Sequence, residues 1–301
     1  MITRRQSLAA AAALAAVLAA GPAGAQEKMK VVATFSILAD LVKNVGADRV
    51  EVAALVGPNG DAHAYSPTPA DAKTLAAAKV VFANGLGFEG WIERLIKASA
   101  TRAARVVAST GIKQRKMEDE DHPGRIQTDP HAWQSVANAK LYVANIRDAL
   151  IKADPAGKSA YEANARAYTA KLDTLEREVR AAVAKIPADR RKIITSHDAF
   201  GYFQAAYGIA FVAPQGVSTE SEPSAADVAK IITQIRREKI LAVFLENITD
   251  SRLLKRIAEE SGAKIGGTLY SDALTDAKGG APTYLDMMRH NVRQLATALT
   301  T

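Results

Sequence analysis

Between Asp154-Pro155 and Pro187 the chain carries an unbroken helical repeat. Tyr161, Ala165, Tyr168, Leu172, Leu175, Val179, Val183 and Ile186 recur every three or four residues, which puts them on one stripe of an α-helix. Asp154 offers an N-cap, Pro155 suits the first helical position, and Pro187 stops the run. About 30 residues at 1.5 Å each make a rod of roughly 45 Å, longer than a small domain is wide. Its apolar stripe must be covered along that whole length. A coiled-coil partner would do so, but the sequence has no second such helix. A rigid spine packed along two lobes meets the requirement.

The flanking segments fit that plan. Ahead of the spine, β-branched runs at 30–35, 50–56, 80–84 and 105–108 alternate with helical spacing at 36–45, 69–78, 91–98 and 135–153. Beyond it, strand-like runs at 193–196, 209–212, 241–245 and 264–266 alternate with helices near 199–207, 224–237, 251–261 and 283–299. Such alternation predicts mostly parallel sheets covered by helices. The expected fold class is therefore α/β: two α/β lobes at 26–154 and 188–301, joined by one long rigid helix at 155–187. Open parallel sheets bind ligands beyond their strand C-termini, so the inter-lobe cleft is the expected site.

Residues 1–25 stand outside this scheme. Arg4 and Arg5 precede an apolar run over 8–20, and Gly21-Pro22-Ala23-Gly24-Ala25 then supplies a small-residue cleavage site before Gln26. The run is too short to span a bilayer, so it reads as a secretory signal peptide, and the paired arginines permit a twin-arginine route. The formal charge of +7 falls to about +5 without Arg4 and Arg5, and the remaining basic residues are interleaved with acidic ones. No nucleic-acid partner is expected. There is no cysteine, so the exported chain relies on its core rather than disulfides and has no thiol for a lipid anchor. The expected location is the periplasm, and the expected state is a monomer without a lipid anchor.

Five histidines are present, at 63, 122, 131, 197 and 290. His63 lies in the loop "GDAHAYSPTP" after the 50–56 strand, His131 ahead of the 135–153 helix, and His197 at a strand–helix junction. Asp272 follows the strand near Ile265. All four sit where the cleft should open, two from each lobe. Three imidazoles and a carboxylate suit a borderline cation such as Zn2+. Position alone leaves open that these are unrelated histidines. His290, between Arg289 and Asn291, reads as a surface residue.

Eight segments then carry a resemblance: "VATFSILADLVKNVG" at 32–46, "GDAHAYSPTP" at 60–69, "ANGLGFEGWIERL" at 83–95, "DPHAW" at 129–133, "SHDAFGYFQAAYGI" at 196–209, "GVSTESEPSAADVAKII" at 216–232, "VFLEN" at 243–247 and "YSDAL" at 270–274. In that order and over essentially the whole mature chain, it resembles the solute-binding components of zinc/manganese ABC importers, the cluster A-I proteins. The resemblance implies a metal buried between the lobes, with His63, His131, His197 and Asp272 as ligands, and an ABC permease as membrane partner. Zinc members often carry a long His-rich insertion before the second ligand. Here residues 117–123 are short and acidic with one histidine, a solvated loop or a weak metal lure. After "DPHAW" the family's common Leu-Asp-Pro is replaced by Gln134-Ser135-Val136, where Ser135 can still cap a helix.

Manganese members tend to hold a carboxylate at the third ligand position, where this chain has His197, so Zn2+ is expected and Mn2+ is the alternative. Asp61, Asp129 and Asp198 could brace imidazoles or simply form turns and caps. Glu246 is either a buried brace for the cleft or a strand end. The rival of another class is a zinc-dependent hydrolase with three ligands and a base. No separate base stands near a ligand in the sequence, so the expected role is capture rather than catalysis. An adhesin role is a third and weaker reading. With one spine helix, release is expected to need only modest lobe or loop movement.

Overall fold

The computed structural model describes residues 27–118 and 124–300. The expected signal peptide and the middle of the acidic loop, with His122, lie outside the described residues.

β1 (Met29–Phe35), β2 (Val50–Val56), β3 (Val80–Ala83) and β4 (Ala104–Val107) form a parallel sheet in the order β2-β1-β3-β4. β1 is central and buried through Phe35, as expected for a strand covered on both faces. α1 (Ser36–Gly46), α2 (Pro69–Ala77), α3 (Ile92–Ser99) and α4 (Val136–Ala153) complete this lobe. Between β4 and α4 a short antiparallel hairpin, β5 (Lys116–Glu118) with β6 (Ile126–Thr128), interrupts the expected alternation. Its three-residue strands are too short and too exposed to leave a periodic trace.

The spine is α5 (Lys158–Ala184), 27 residues or about 40 Å, preceded by a single 3-10 turn over Pro155–Gly157. Its buried positions are the predicted stripe from Tyr161 to Val183, continued by Ile186. Asp154 differs from expectation. Its side chain makes no cap bond. Instead Oδ2 accepts from Arg49 Nε and Nη2 at 3.0 and 2.8 Å and from the Tyr161 hydroxyl at 2.8 Å, tying the spine to the first lobe. The helix start is left to Pro155, whose fixed φ suits a first turn.

Beyond the spine, β7 (Lys192–Ile194), β8 (Ala210–Val212), β9 (Ala242–Glu246) and β10 (Lys264–Leu269) form a second parallel sheet, ordered β10-β9-β7-β8. It is flanked by α6 (Gly201–Tyr207), α7 (Ala225–Glu238), α8 (Ser251–Ser261) and α9 (Tyr284–Thr300). Strand alternation divides its apolar residues between two faces. Ile194 and Val243 pack with Ile231, Ile235, Leu254 and Ile257 from α7 and α8. Ile193 and Phe244 face the other way and join one interior that includes the spine stripe and the whole first-lobe core.

The α/β architecture with a connecting helix is thus as expected, but one apolar interior runs through both lobes. Leu175, fully buried on the spine, lies in it. Leu175→Ala is expected to cost about 2–5 kcal/mol in chemical denaturation. A loss below about 1 kcal/mol would show that the stripe does not carry the core.

Candidate metal centre

Each of the four residues singled out at the cleft sits on a loop braced by its neighbours. His63 follows β2. Asp61 Oδ1 accepts from the His63 backbone N–H at 2.9 Å, and Trp91 Nε1 donates to Ala62 O at 2.8 Å. Downstream, Thr68 and Asp71 form a capping box and Pro69 opens α2, so the loop is anchored at both ends. His131 lies between β6 and α4. Asp129 Oδ1 is 2.9 Å from its backbone N–H and 3.0 Å from Nδ1, while Asn84 Nδ2 donates to Pro130 O at 2.9 Å.

His197 follows β7. Glu246, at the end of β9 and buried, accepts from the backbone N–H groups of Ser196 and His197 at 2.7 and 3.0 Å, and its other oxygen lies 2.7 Å from His197 Nδ1. Asp272 follows β10 on a loop held from the first lobe. Trp133 Nε1 and Gln134 Nε2 both donate to Ser271 O, at 2.9 and 2.8 Å, and Leu274 N–H donates to Ser36 Oγ at 3.0 Å.

These loops bring His63, His131, His197 and Asp272 together, with one ligand atom of each within 4.8 Å of the others. His63 Nε2 lies 3.2 Å from His131 Nε2 and 3.3 Å from Asp272 Oδ2. That oxygen is 3.1 Å from His197 Nε2 and 3.6 Å from His131 Nε2. A tetrahedral ion with bonds of about 2.0–2.2 Å would set its ligands roughly 3.3–3.6 Å apart, close to this spacing. Asp272 Oδ1 is buried without a protein hydrogen-bond partner, an acceptor left over in a nearly dry site. Phe88 and Trp133 pack edge-on against the His63 and His131 rings, with centroids 4.6 and 5.3 Å away, and exclude water. The donor set and its spacing fit a divalent cation.

The electrostatics follow from burial and one shared carboxylate. Burial holds His63 below the ordinary imidazole value. Burial also opposes charge on His131, but Asp272 and Asp129 outweigh it and lift the ring to about 9. His197 is raised well above the usual range in the same way, by Glu246 and Asp272 against burial. Burial would raise Asp272, yet the neighbouring His131 and His197 hold it well below the usual carboxylate range. An anionic oxygen and orientable imidazoles therefore face one point.

Of the residues suggested as braces, Asp129 holds an imidazole nitrogen. Asp61 serves the loop backbone and a cross-cleft contact instead, since its Oδ2 accepts from Thr219 Oγ1 at 2.6 Å. Glu246, read as a brace for the cleft or a strand end, holds the His197 backbone N–H and faces Nδ1 at 2.7 Å, though outside hydrogen-bond geometry. Only its place after an apolar run hinted at this. His290 is not a surface residue: half-buried, its Nε2 sits 2.9 Å from Thr268 O and its ring packs on Tyr270 at 4.6 Å. The fold of α9 back onto β10, invisible in local sequence, places it there.

Over residues 31–298 the chain matches the family described as the zinc-uptake complex component A, periplasmic (ZnuA). It is 34% identical over 282 residues to the iron-binding protein YfeA of Yersinia pestis, covering 94% of this chain and 90% of YfeA. It is 33% identical over 280 residues to the manganese ABC transporter substrate-binding lipoprotein PsaA of Streptococcus pneumoniae, covering 91% and 89%. The solved structure of the periplasmic zinc binding protein TroA from Treponema pallidum superposes with a TM-score of 0.85 at 32% identity, covering 91% of this chain and 100% of TroA. Fold and matches together define a metal-binding, substrate-binding component of ABC importers, a transport protein and not an enzyme. The chain belongs to the ZnuA family.

Proposed function

We propose that this protein captures Zn2+ in the periplasm through His63, His131, His197 and Asp272 and delivers it to an ABC-type permease. The signal peptide 1–25 is removed, the lobes 26–154 and 188–301 each supply two ligands, the helix 155–187 fixes their separation, and the carrier acts as a monomer. The observation that carries this reading is the convergence of four buried ligand atoms from two lobes at metal-like spacing. Three imidazoles with one carboxylate favour a borderline ion over a harder one. His197 stands where manganese members tend to hold a carboxylate.

A relative named for manganese supports Mn2+ as the second reading, and affinity order alone does not set the ion taken up in the cell. Elemental analysis of protein isolated from periplasm without added metal decides between them. Zinc near one equivalent is expected. Predominant manganese or iron would overturn the choice of ion while leaving the site.

A further inference from the structure

The four ligands are not equally reachable. His131, His197 and Asp272 are 0% exposed, whereas His63 keeps 5% of its surface. A cavity of about 510 Å³ reaches that ring, with Leu86, Phe88, Pro130, Val217 and Glu220 among its lining residues. Buried Val217 and Phe88 line it beside His63, while exposed Glu220 and Arg125 stand on its rim, so the ring is approached past apolar side chains from a rim that carries both charges.

The second-lobe loops at the cleft differ in how they are held, and only the one carrying Val217 lines this cavity. The Asp272 loop is bound across the cleft by Trp133, Gln134 and Ser36, and further by Asn59 N–H donating to Leu274 O at 2.8 Å. The Val217 wall belongs to a loop closed on itself at its base. There Gln215 Nε2 donates to Ser221 O, and Asp198 N–H reaches the carbonyls of Gln215 and Gly216. Its tip crosses to the other lobe through Thr219 Oγ1, which donates to Asp61 Oδ2. Asp61 is also the residue whose other oxygen holds the His63 backbone. One carboxylate thus links the ligand nearest the cavity to the loop that narrows it.

We infer that this cavity is the portal for the cation, that His63 is the first ligand to meet the ion and the last to release it, and that the Thr219–Asp61 bond latches the portal. The inference rests on the metal site proposed above. A hydrated ion must shed water to pass Val217 and Phe88 and reach His63. Breaking the latch frees the 216–220 loop without disturbing the four ligands or the spine.

A portal residue changes the rates of uptake and loss together, whereas a ligand changes affinity. Stopped-flow measurements on the mature protein would follow Zn2+ association, and Zn2+ transfer to EDTA, by the fluorescence of Trp133 beside His131. Thr219→Val keeps the side-chain shape and removes the donor. It is expected to raise both rate constants roughly tenfold, as suits one hydrogen bond to a charged group, with Kd nearly unchanged. Val217→Phe narrows the throat and is expected to lower both. Parental rates in both variants would overturn the portal. So would faster loss in Thr219→Val with an equal loss of affinity, which would make the bond part of the bound state. A parent protein that takes up no Zn2+ would overturn the site itself and the portal with it.

Discussion

Replacing His197 by alanine is expected to weaken Zn2+ binding at least about 100-fold. Apparent binding energies near 10–16 kcal/mol shared by four ligands come to about 3 kcal/mol each, and about 1.4 kcal/mol is a factor of ten. Alanine at 197 also leaves the buried Glu246 without the imidazole that faces it. Asp272→Asn is therefore the companion variant, because it keeps the shape and removes only the anionic oxygen that all three imidazoles approach. Competition titration against chelators of known affinity gives the number, and a thermal melt of each variant confirms folding. Binding within a factor of three of the parent in both variants would mean that the ion is held elsewhere.

The second large effect is on pH. A cation takes only the deprotonated imidazole. Near neutrality His63 is already free, because burial holds its value down. His131, raised to about 9, and His197, raised well above its ordinary value, keep protons until the ion displaces them. Affinity should therefore fall with acidity by up to two powers of ten per pH unit, or by as much as about 10⁴ from pH 8 to pH 6. Calorimetry in two buffers of different ionisation enthalpy should show close to two protons released per ion at pH 7. A slope below half a power of ten per unit would contradict this picture of the site.

The stability of the metal-free protein runs the opposite way. A histidine whose folded value is raised contributes its stability fully below the unfolded value. That contribution disappears as pH rises through the folded value, which for His131 is the interval from about 6.5 to about 9. Acid thus loosens the cargo without loosening the metal-free cage through these two rings.

Much of this architecture could be read from the chain because its signals are local and periodic. The stripe from Tyr161 to Val183 repeats at helical spacing and is buried as such. Strands such as 50–56 and 80–83 are β-branched runs between turn residues. His63, His197 and Asp272 could be grouped because parallel sheets put their strand-end loops on one side, whereas His131, grouped with them for its place ahead of a helix, follows the antiparallel β5–β6 hairpin. What escaped depends on contacts between distant segments. Glu246 meets His197 through the pairing of β9 beside β7, and Asp61 meets Thr219 across 158 residues of chain. Asp154 carries both signals of a cap, yet Arg49, 105 residues away, claims its carboxylate. The β5–β6 hairpin pairs three residues with three, below the length at which alternation can be recognised.

The shared interior has a consequence for the lifetime of the carrier. Its two sheets are expected to melt together, because the spine stripe and one face of the second sheet belong to the same cluster as the first-lobe core. Stabilisation by bound cargo, about 4 kcal/mol when free ion exceeds Kd a thousandfold, is therefore felt at the far end of the spine as well as at the ligand loops. Proteases act on opened chain. A loaded carrier would resist them along its whole length, so scarcity of metal would shorten the life of the molecule that searches for it.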